Sequence, residues 1–511
     1  MIPAESNPNS EEARNGVQAP EGTGRANSSR VNFIEDVLER FPASKLAVVA
    51  IDAAGDRHEW HMGELIARSA GLSGAMAARG VRRGDPVMTL VGSRIEWVIA
   101  MLACFRMGAV AMPCNVQLRA KDLELRIDAA EPALVIGEER YLAELPAGLQ
   151  TMTMEDVVEA LDEDLPQETP VDPVDLDPED AAVIIFTSGT TGDPRGVIYP
   201  QRYLTGQRLQ AEHWYGAREG ELAWCTAATG WSLSTRNVFI APWLTGATAF
   251  LHDARFDPAE RLEIAEREGI GVVCQAPTEY RMLAGRTELR PVPSLRRLVS
   301  AGEPLNPEVI RAFREQVGVS IHDGYGQTET GPVTGMRPGD DDPGRDGSMG
   351  RPLPGVVTRI EDGELQVRPE TLPTFFSRYI GAEPFAGEWW PTGDQVGEDE
   401  DGYLWFEGRG DDLIVSAGYR IGPFEVESAL VSHPAVAEAA AVAAPNAERG
   451  SVVRAIVVLR RGEPSGDLAR ELQDHVKAVT APYKYPRLVE FASELPKTSS
   501  GKIKRGELRS R

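Results

Sequence analysis

Short apolar segments alternate with amphipathic helical patterns along most of the chain. Nearly continuous apolar residues predict buried strands over Lys45–Asp52 and Asp85–Val91. Apolar residues that recur at helical spacing predict helices over Met62–Arg79 and Trp97–Met107. Because strands that alternate with helices form parallel sheets covered by helices, the pattern predicts an α/β fold.

The alternation is interrupted once and then resumes. Residues 155–180 are acidic and rich in proline, which predicts a solvated connection that leads into the apolar run Ala181–Phe186. Further strands are predicted within Gly246–His252, Val272–Gln275 and Leu295–Ser300. The same large domain therefore continues on both sides of the connection.

The last third of the chain has a different texture. Asp362-Gly363 and Asp401-Gly402 lie between short alternating segments, which predicts hairpins and a small β-barrel-like part. A compact α/β stretch follows, with a helix over Pro423–His433 and strands near Ala437–Ala443 and Arg454–Leu459. The predicted domains are a disordered tail over residues 1–30, an N-terminal domain over 31–408, and a small mobile C-terminal domain over 409–511.

Composition excludes several classes of protein. A net charge of −25 repels nucleic-acid phosphates, so no nucleic-acid partner is predicted. The longest apolar runs are far shorter than a membrane span, and residues 1–30 have no apolar signal-peptide core, so neither membrane insertion nor secretion is predicted. The four cysteines form no C-x-x-C pair and are typical of buried thiols in a reducing compartment, which favours a cytoplasmic location.

The run Ala181–Phe186 ends in a loop rich in glycine and hydroxyl groups, with the sequence FTSGTTGDPRG. Backbone N–H groups and hydroxyls that converge after a buried strand form a cradle for an anion. The spacing is not that of a Walker loop, and an ordinary glycine-rich turn has the same composition. The loop alone leaves both interpretations open.

Five more motifs follow this loop in order: SAGEPLNPEVI, GYGQTETG, WPTGD, GRGDDLIVSAGYRIGPFEVE and PKTSSGKIKR. Together the six motifs resemble the adenylate-forming superfamily of AMP-binding enzymes, over roughly residues 35–511. The segments SAGYRIGPFEVESAL and VTAPYKYPRLVEF are most similar to its medium-chain acyl-CoA synthetases. The chain departs from the family pattern at Arg195, where the family usually has lysine.

The resemblance implies an AMP-forming acyl-CoA synthetase, an acid–thiol ligase of fatty acid metabolism. ATP, Mg²⁺ and coenzyme A would be its co-substrates, and homodimers are common among such enzymes. The carboxylate would attack the α-phosphate of ATP, giving acyl-adenylate and pyrophosphate, and a thiol would then displace AMP. Two anions react in the first step, so the site must supply positive charge and oriented donors.

The resemblance also assigns residues to this chemistry. Lys502, Thr328, Glu329 and Arg420 would be catalytic, with Lys502 next to the developing negative charge and Glu329 as the magnesium ligand. Asp394 would accept the ribose hydroxyls, with Arg409 behind it, and Asp411 would be the hinge. The other residues expected at ATP are Thr187, Ser188, Gly189, Thr190, Thr191, Gly192, Arg195, Gly302, Glu303, Pro304, Asp323, Gly324, Tyr325, Gly326 and Gln327.

Two further sets concern the other substrates. Trp231 and Gly326 would line the acyl pocket, and because acetate-specific relatives have tryptophan at the position of Gly326, we expect a larger acid: medium-chain, branched or aromatic. The residues expected at coenzyme A are Gln117, Ala417, Gly418, Tyr419, Arg449, Tyr485, Pro486 and Arg487.

Two alternatives remain open at this point. The same first step would serve a stand-alone ligase that loads the thiol of a carrier protein. A non-catalytic nucleotide-binding protein is a further alternative, but it would be expected to lack Lys502, Glu329 or Asp394, and all three are present.

Overall fold

The computed structural model describes residues 30–162, 168–187, 194–337, 345–410, 412–416, 419–446, 449–497 and 502–509, with only the backbone of Arg420. The predicted tail, apart from Arg30, and the predicted hinge residue Asp411 lie outside the described residues.

The strands of the described chain are β1 Leu46–Ile51, β2 Arg57–His61, β3 Pro86–Leu90, β4 Val110–Pro113, β5 Leu134–Gly137, β6 Thr151–Thr153, β7 Ala181–Phe186, β8 Gly196–Pro200, β9 Leu222–Cys225, β10 Thr248–His252, β11 Ile270–Gln275, β12 Arg297–Ala301, β13 Ile321–Gln327, β14 Gly331–Gly335, β15 Arg351–Pro352, β16 Thr358–Glu361, β17 Glu364–Val367, β18 Arg378–Tyr379, β19 Trp390–Glu398, β20 Leu404–Arg409, β21 Ile414–Ser416, β22 Tyr419–Ile421, β23 Val436–Asn446, β24 Gly450–Leu459 and β25 Leu488–Ala492.

The α-helices are α1 Phe33–Asp36, α2 Met62–Ala78, α3 Ile95–Met107, α4 Ala120–Ala130, α5 Glu139–Leu142, α6 Met154–Leu161, α7 Arg202–Gly206, α8 Arg208–Gln210, α9 Ser232–Asn237, α10 Ile240–Leu244, α11 Pro258–Glu268, α12 Pro277–Arg286, α13 Pro307–Gln316, α14 Pro423–Val431, α15 Gly466–Val479 and α16 Arg505–Arg509. A π-helical turn over Ala211–Tyr215 continues α8.

Two large sheets of mainly parallel strands contain all the described strands from β1 to β15, together with β18. In one sheet the strand order is β15-β14-β13-β12-β11-β9-β10-β1-β2, and the strands from β13 to β1 run parallel. In the other the order is β18-β8-β7-β4-β3-β5-β6, with the pairs from β7 to β6 parallel. The predicted α/β fold with parallel-rich sheets is confirmed.

Helix α3 fills the space that the two sheets share. Its side chains from Trp97 to Met107 are all buried, and the core around it contains residues of both sheets, such as Val48 and Val87. The helix ends at Gly108, which has φ 71°, a left-handed backbone that favours glycine. A helix that is apolar on every side is expected to be enclosed in this way.

The glycine-turn region forms a separate antiparallel sheet with the order β16-β17-β19-β20. Asp362 and Gly363 both have positive φ, at 52° and 82°, as a two-residue hairpin turn requires, which confirms the predicted hairpin. The described pairings of the four strands do not close into a barrel.

The last part of the chain forms a five-stranded mixed sheet from β21 to β25, with α14 and α15 packed on a core of its own. The predicted helix and both predicted strands are present there, with β23 and β24 paired antiparallel over most of their length.

The predicted solvated connection over residues 155–180 was wrong in two places. Thr153 caps α6, and Val157 and Leu161 of this helix are buried. Leu176 is also buried and pairs through its backbone with Val31. The acidic residues masked an amphipathic helix, since Val157 and Leu161 recur at the spacing of one helical turn.

No helix in the described ranges has both the length and the hydropathy of a membrane span. All four cysteines are buried and free, as the sequence predicted.

Candidate active site

A large cleft of about 1560 Å³ runs between the two large sheets, the β19–β20 hairpin and the last part of the chain. Its walls include the ends of β7 and β13, helix α9, and the segment that follows Lys502. The predicted site residues that line it are Gln117, Thr187, Trp231, Gly302, Glu303, Pro304, Asp323, Gly324, Tyr325, Gly326, Gln327, Thr328, Glu329, Asp394, Arg409 and Lys502. Residues far apart in the sequence therefore meet in one cleft.

Asp394 is held by three side chains. Tyr325 Oη and Gln327 Nε2 donate to its Oδ2 at 2.5 and 2.8 Å, and Arg409 Nη1 donates to its Oδ1 at 3.2 Å. Asp394 and Arg409 are directly opposite each other in the β19–β20 ladder, which fixes the pair through the backbone. Burial raises the pKa of Asp394, while Arg409 and the two donors oppose that rise.

The amide of Gln327 links this carboxylate to the β19 backbone. Its Nε2 also donates to Thr392 O at 2.6 Å, and Trp390 Nε1 donates to its Oε1 at 3.1 Å. The side chain is thereby fixed in one orientation, and so is the Asp394 oxygen that it contacts.

Glu329 lies at the turn between β13 and β14, and its carboxylate has a partner that the sequence did not identify. Tyr379 Oη donates to Glu329 Oε1 at 2.8 Å. The guanidinium of Arg195 lies 3.4 Å from the centre of the Tyr379 ring. Tyr379 therefore joins Glu329 to the segment after the glycine-rich loop, and Arg195, which is exposed, stacks on it rather than lining the cleft.

Glu303 is occupied by partners inside the protein. Arg281 Nη2 donates to Glu303 Oε2 at 2.6 Å, and Thr278 Oγ1 donates to Oε1 at 2.6 Å. Burial raises the pKa of Glu303, but the positive charge of Arg281 and these hydrogen bonds outweigh it, so the pKa is lowered overall. Glu303 thus anchors the turn after β12, which leaves Gly302 and Pro304 to face the cleft.

Lys502 reaches the same part of the cleft from the C-terminal end of the chain. Burial lowers the pKa of Lys502, and the negative charges of Glu303 and Asp394 act in the opposite direction. The negative charge of Glu329 also acts to raise this pKa. The Lys502 ammonium therefore lies close enough to interact electrostatically with all three carboxylates.

Ion pairs connect this lysine segment to the beginning of the last part of the chain. Arg505 donates to Glu427 through its Nε and Nη2 atoms, and the nearest pair, Nη2 and Oε2, is 2.7 Å apart. Arg509 Nη2 lies 2.9 Å from Asp412 Oδ1. Glu427 is itself buried and accepts the Ala441 N–H at 2.8 Å. Helix α16, which starts three residues after Lys502, is therefore fastened next to residue 411.

A buried arginine and histidine lie behind β13. Arg297 Nη1 and His322 Nδ1 are 2.8 Å apart, and Arg297 Nη2 donates to Trp214 O and Met336 O at 2.7 Å each. Burial and the charge of Arg297 lower the pKa of His322 to about 3, so the imidazole is neutral at pH 7.

Much of the glycine-rich loop lies outside the described residues, namely Ser188, Gly189, Thr190, Thr191 and Gly192. Thr187 is at its start, where its N–H donates to Arg195 O at 3.0 Å and its Oγ1 accepts from Arg195 N at 3.1 Å.

The residues predicted at coenzyme A are not brought together. Gln117 lines the cleft, whereas Tyr419, Arg449, Tyr485, Pro486 and Arg487 do not. Tyr419 is half exposed and stacks on Tyr483 with ring centres 4.4 Å apart. Ala417 and Gly418 lie outside the described residues, as does the side chain of Arg420.

Gly326 lines the cleft, as predicted, and its backbone also lies close to β14. A Cβ there would lie 2.0 Å from Gly331 O and 2.8 Å from Gly331 C. A side chain at this position would therefore require β14 to shift. The expected size of the acid stays a prediction.

The family models match most of this chain. A model described as AMP-binding enzyme matches residues 34–374, and one described as AMP-binding enzyme C-terminal domain matches residues 425–502. The chain belongs to the AMP-binding enzyme family. The resemblance that the six motifs indicated is confirmed.

Individual relatives span almost the whole chain. It is 39% identical over 508 residues to the uncharacterized acyl-CoA ligase YtcI of Bacillus subtilis (strain 168), covering 93% of this chain and 95% of that protein. It is 36% identical over 537 residues to the mitochondrial acyl-coenzyme A synthetase ACSM3 of Mus musculus, covering 94% and 90%. Among solved structures, the anthranilate CoA ligase AuaEII in complex with anthranoyl-AMP has a TM-score of 0.84 at 29% identity, covering 95% and 98%.

The magnesium implied for AMP-binding enzymes suits the residues present. No group of three or more His, Cys, Asp or Glu side chains in the described part of the chain forms a metal cage. Mg²⁺ is commonly bound by one or two carboxylates together with substrate phosphates, and Glu329 offers one such carboxylate in the cleft. The donor set therefore fits an ion that arrives with the nucleotide.

The motif-based predictions missed the residues that hold the motif side chains in place. Thr278 and Arg281 lie just after the predicted strand Val272–Gln275, in a segment that carries no motif. Tyr379 also lies outside the motifs. Arg236, which also lines the cleft, had a signal in the sequence, because it is the only charged residue between Trp224 and His252.

Proposed function

We propose that the protein is an AMP-forming acyl-CoA synthetase that uses ATP to activate a carboxylic acid and then transfers the acyl group to coenzyme A. The observation that supports this most is the meeting of Lys502 with Glu329 and Asp394 in one cleft, from three distant parts of the chain.

In the first step a carboxylate oxygen of the acid attacks the α-phosphorus of ATP. The bond to the β-phosphate oxygen breaks, and pyrophosphate leaves with the electron pair. Lys502 holds a positive charge next to the phosphate oxygens, which gain negative charge in the transition state. Asp394 accepts the ribose hydroxyls, and Arg409 keeps this carboxylate ionised and oriented.

Glu329 would bind the magnesium ion, which neutralises phosphate charge when it is present. Tyr379 orients the Glu329 carboxylate by donating to one of its oxygens. The backbone around Thr328 is fixed by Tyr199, whose hydroxyl donates to Thr328 O at 2.5 Å.

In the second step the thiolate sulfur of coenzyme A attacks the acyl carbonyl carbon, and AMP leaves from it. Apart from Gln117, which lines the cleft, the described residues expected at coenzyme A lie on the last part of the chain and outside the present cleft. We infer that the domain over 409–511 rotates about the hinge at Asp411 between the steps, so that Lys502 leaves and this set approaches. The domain boundaries and the hinge are part of the same proposal.

The acid is proposed to be medium-chain, branched or aromatic, in line with a relative named for anthranilate. The homodimer and the place in fatty acid metabolism stay predictions of the resemblance, and the cytoplasmic location stays a prediction from the cysteines.

The test is a measurement of products with purified protein, Mg-ATP and a panel of carboxylic acids. We expect AMP and pyrophosphate in equal amounts, and an acyl thioester when coenzyme A is present. A carrier-protein thiol in place of coenzyme A tests the nearer alternative, because thioester formed only on the carrier would refute coenzyme A as the acceptor. Release of ADP and orthophosphate would refute the proposed function.

A further inference from the structure

One wall of the cleft contains an arginine without a negative partner. Arg236 on α9 is 6% exposed and lines the cleft next to Trp231 and Leu233, in the part where the acyl group is expected. No ion pair joins it to an acidic residue of the described ranges. Burying a guanidinium is costly unless an anion compensates it.

The donors of this side chain are only partly used. Arg236 Nη1 donates to Ser232 Oγ at 2.8 Å, while its Nε has no hydrogen-bond acceptor in the described chain. A cationic fork that stays incompletely bonded inside a cleft is suited to an anionic group of a ligand.

A tyrosine next to Arg236 has the same property. Tyr203 is fully buried, and its hydroxyl forms no hydrogen bond of good geometry with any described residue. Burial raises the pKa of Tyr203, and the charge of Arg236 counteracts the rise, so the two groups are close. Tyr203 is therefore a neutral neighbour of Arg236 and does not compensate its charge.

The polar character extends behind these two residues. Gln207 lies one helical turn after Tyr203, and neither its amide nitrogen nor its amide oxygen has a partner among the described residues. Asn237 accepts from Gln210 Nε2 at 2.8 Å, but its own nitrogen is without an acceptor there. Of these groups only Arg236 lines the cleft, and the others lie behind it. An unpaired buried polar group is unfavourable, so a wall for a purely apolar chain would not be expected to contain this guanidinium.

Tyr199, which also lies near Arg236, leads from this part of the cleft to Thr328. Tyr199 donates to Thr328 O, and the Tyr203 ring stacks on Tyr199 with centres 4.0 Å apart. The charge of Arg236 acts on both tyrosines. If the reacting carboxylate lies near Thr328, as the proposed first step requires, Arg236 remains for a different group of the acid.

We propose that Arg236 binds a second anionic group of the acid, so that the preferred substrates are dicarboxylic acids or acids with an equivalent anionic substituent. This inference rests on the proposed acyl-CoA synthetase activity and narrows its substrate class.

The test compares acids that differ only in the second carboxylate: hexanoate with adipate, and benzoate with terephthalate. Acid-dependent pyrophosphate release gives kcat and KM for each. We expect kcat/KM to be about 10- to 100-fold higher for the better dicarboxylate than for its partner, mainly through KM, as for a hydrogen bond to a charged group. A wild-type protein that prefers both monocarboxylates would overturn the inference.

The variant Arg236→Leu should remove this preference, lowering kcat/KM for the dicarboxylate about 10- to 100-fold while leaving the monocarboxylate unchanged or improved. Arg236→Lys should retain part of the preference because it keeps the charge. Arg218→Leu, an exposed arginine outside the cleft, is the matched control and should change neither.

The outcomes separate the two proposals. No pyrophosphate release with any acid refutes the proposed function. Release with monocarboxylates and no gain from a second carboxylate refutes only the inference about Arg236. An equal loss for all acids in Arg236→Leu would show a purely structural role and would also overturn it, and the wild-type comparison decides the matter should that variant not fold.

Discussion

The carboxylates in the nucleotide part of the cleft have bonding partners within the protein, whereas the arginine in the acyl part lacks an acidic partner among the described residues. Asp394, Glu303 and Glu329 each accept a hydrogen bond from a neighbouring side chain. Arg236 in the acyl part has no such ionic partner in the described chain, and Tyr203 beside it has an unused hydroxyl.

This difference reflects what each part must recognise. ATP is the same in every reaction cycle, so its site gains from groups whose positions are fixed before binding. Synthetases differ in the acid that they activate. A buried polar group without a partner in the acyl part of the cleft is paired only when the correct acid binds, which makes it a source of specificity. The two parts therefore predict different responses to mutation, and the following experiments test them in order of expected effect.

The largest effect is expected from Lys502→Ala. Removing a charge that acts mainly in the transition state should lower acid-dependent pyrophosphate release about 10²- to 10³-fold. Thioester formation from externally supplied acyl-adenylate should change much less. Because the pKa of Lys502 is lowered, the wild-type rate of the first step should decline with rising pH before the ordinary lysine range is reached.

Lys504→Ala provides the control, since this lysine lies two residues away and is exposed. Equal losses in both half-reactions for Lys502→Ala would contradict the role assigned to it.

A smaller loss is expected from Asp394→Asn. The amide has nearly the same shape but removes the charge that Arg409 and Tyr325 bind, so KM for ATP should rise about 10- to 100-fold. Steady-state kinetics with varied ATP measures this, and Glu398→Gln at the exposed end of the same strand should have no effect. An unchanged KM for ATP in Asp394→Asn would place the nucleotide elsewhere.

Arg297 and His322 provide a contrasting case, because they are expected to affect the pH dependence of the free energy of unfolding rather than catalysis. The pKa of His322 is about 3 in the folded protein and near 6.5 when unfolded, so only the unfolded chain binds this proton between those values. The contribution of His322 should therefore lower the free energy of unfolding by up to about 1.4 kcal/mol for each unit by which the pH is decreased between about pH 6 and 4.

Urea unfolding of the wild type and of His322→Gln at several pH values measures this contribution. The variant lacks the titrating group, so its stability should depend less steeply on pH in that window. Parallel curves for the two proteins would contradict a neutral buried His322.

The smallest effect is expected from Tyr379→Phe. Losing one donor to Glu329 while keeping the ring beneath Arg195 should raise the Mg²⁺ concentration for half-maximal activity about 5- to 10-fold. Titration with Mg²⁺ at fixed ATP is the measurement, because a structural defect would lower the rate at all Mg²⁺ concentrations alike. Tyr141→Phe, outside the cleft, is the control.

The sequence predicted the fold well because its strongest patterns have a single physical solution. The run Ala181–Phe186 and the all-apolar helix α3 are stable only when buried, and the Asp362-Gly363 turn requires positive φ. The acidic helix α6 was missed because its two apolar residues were few among many charges.

For the site, motifs identified the side chains that face the cleft but not those that hold them. Tyr379 is 50 residues from Glu329, and Arg281 is 22 from Glu303, so no local spacing connects either pair. The close approach of Gly326 to Gly331 could not be predicted for the same reason, since it depends on the pairing of β13 with β14.

The ion pairs of α16 have a consequence for timing. Arg505 and Arg509 fasten the helix after Lys502 to Glu427 and Asp412, immediately beyond the proposed pivot. If the domain rotates about residue 411 as proposed, Lys502 would move together with α16 rather than by itself. Departure of the ammonium from the phosphates and arrival of the thiol-binding residues would then be one event, and the two half-reactions would require different positions of the domain.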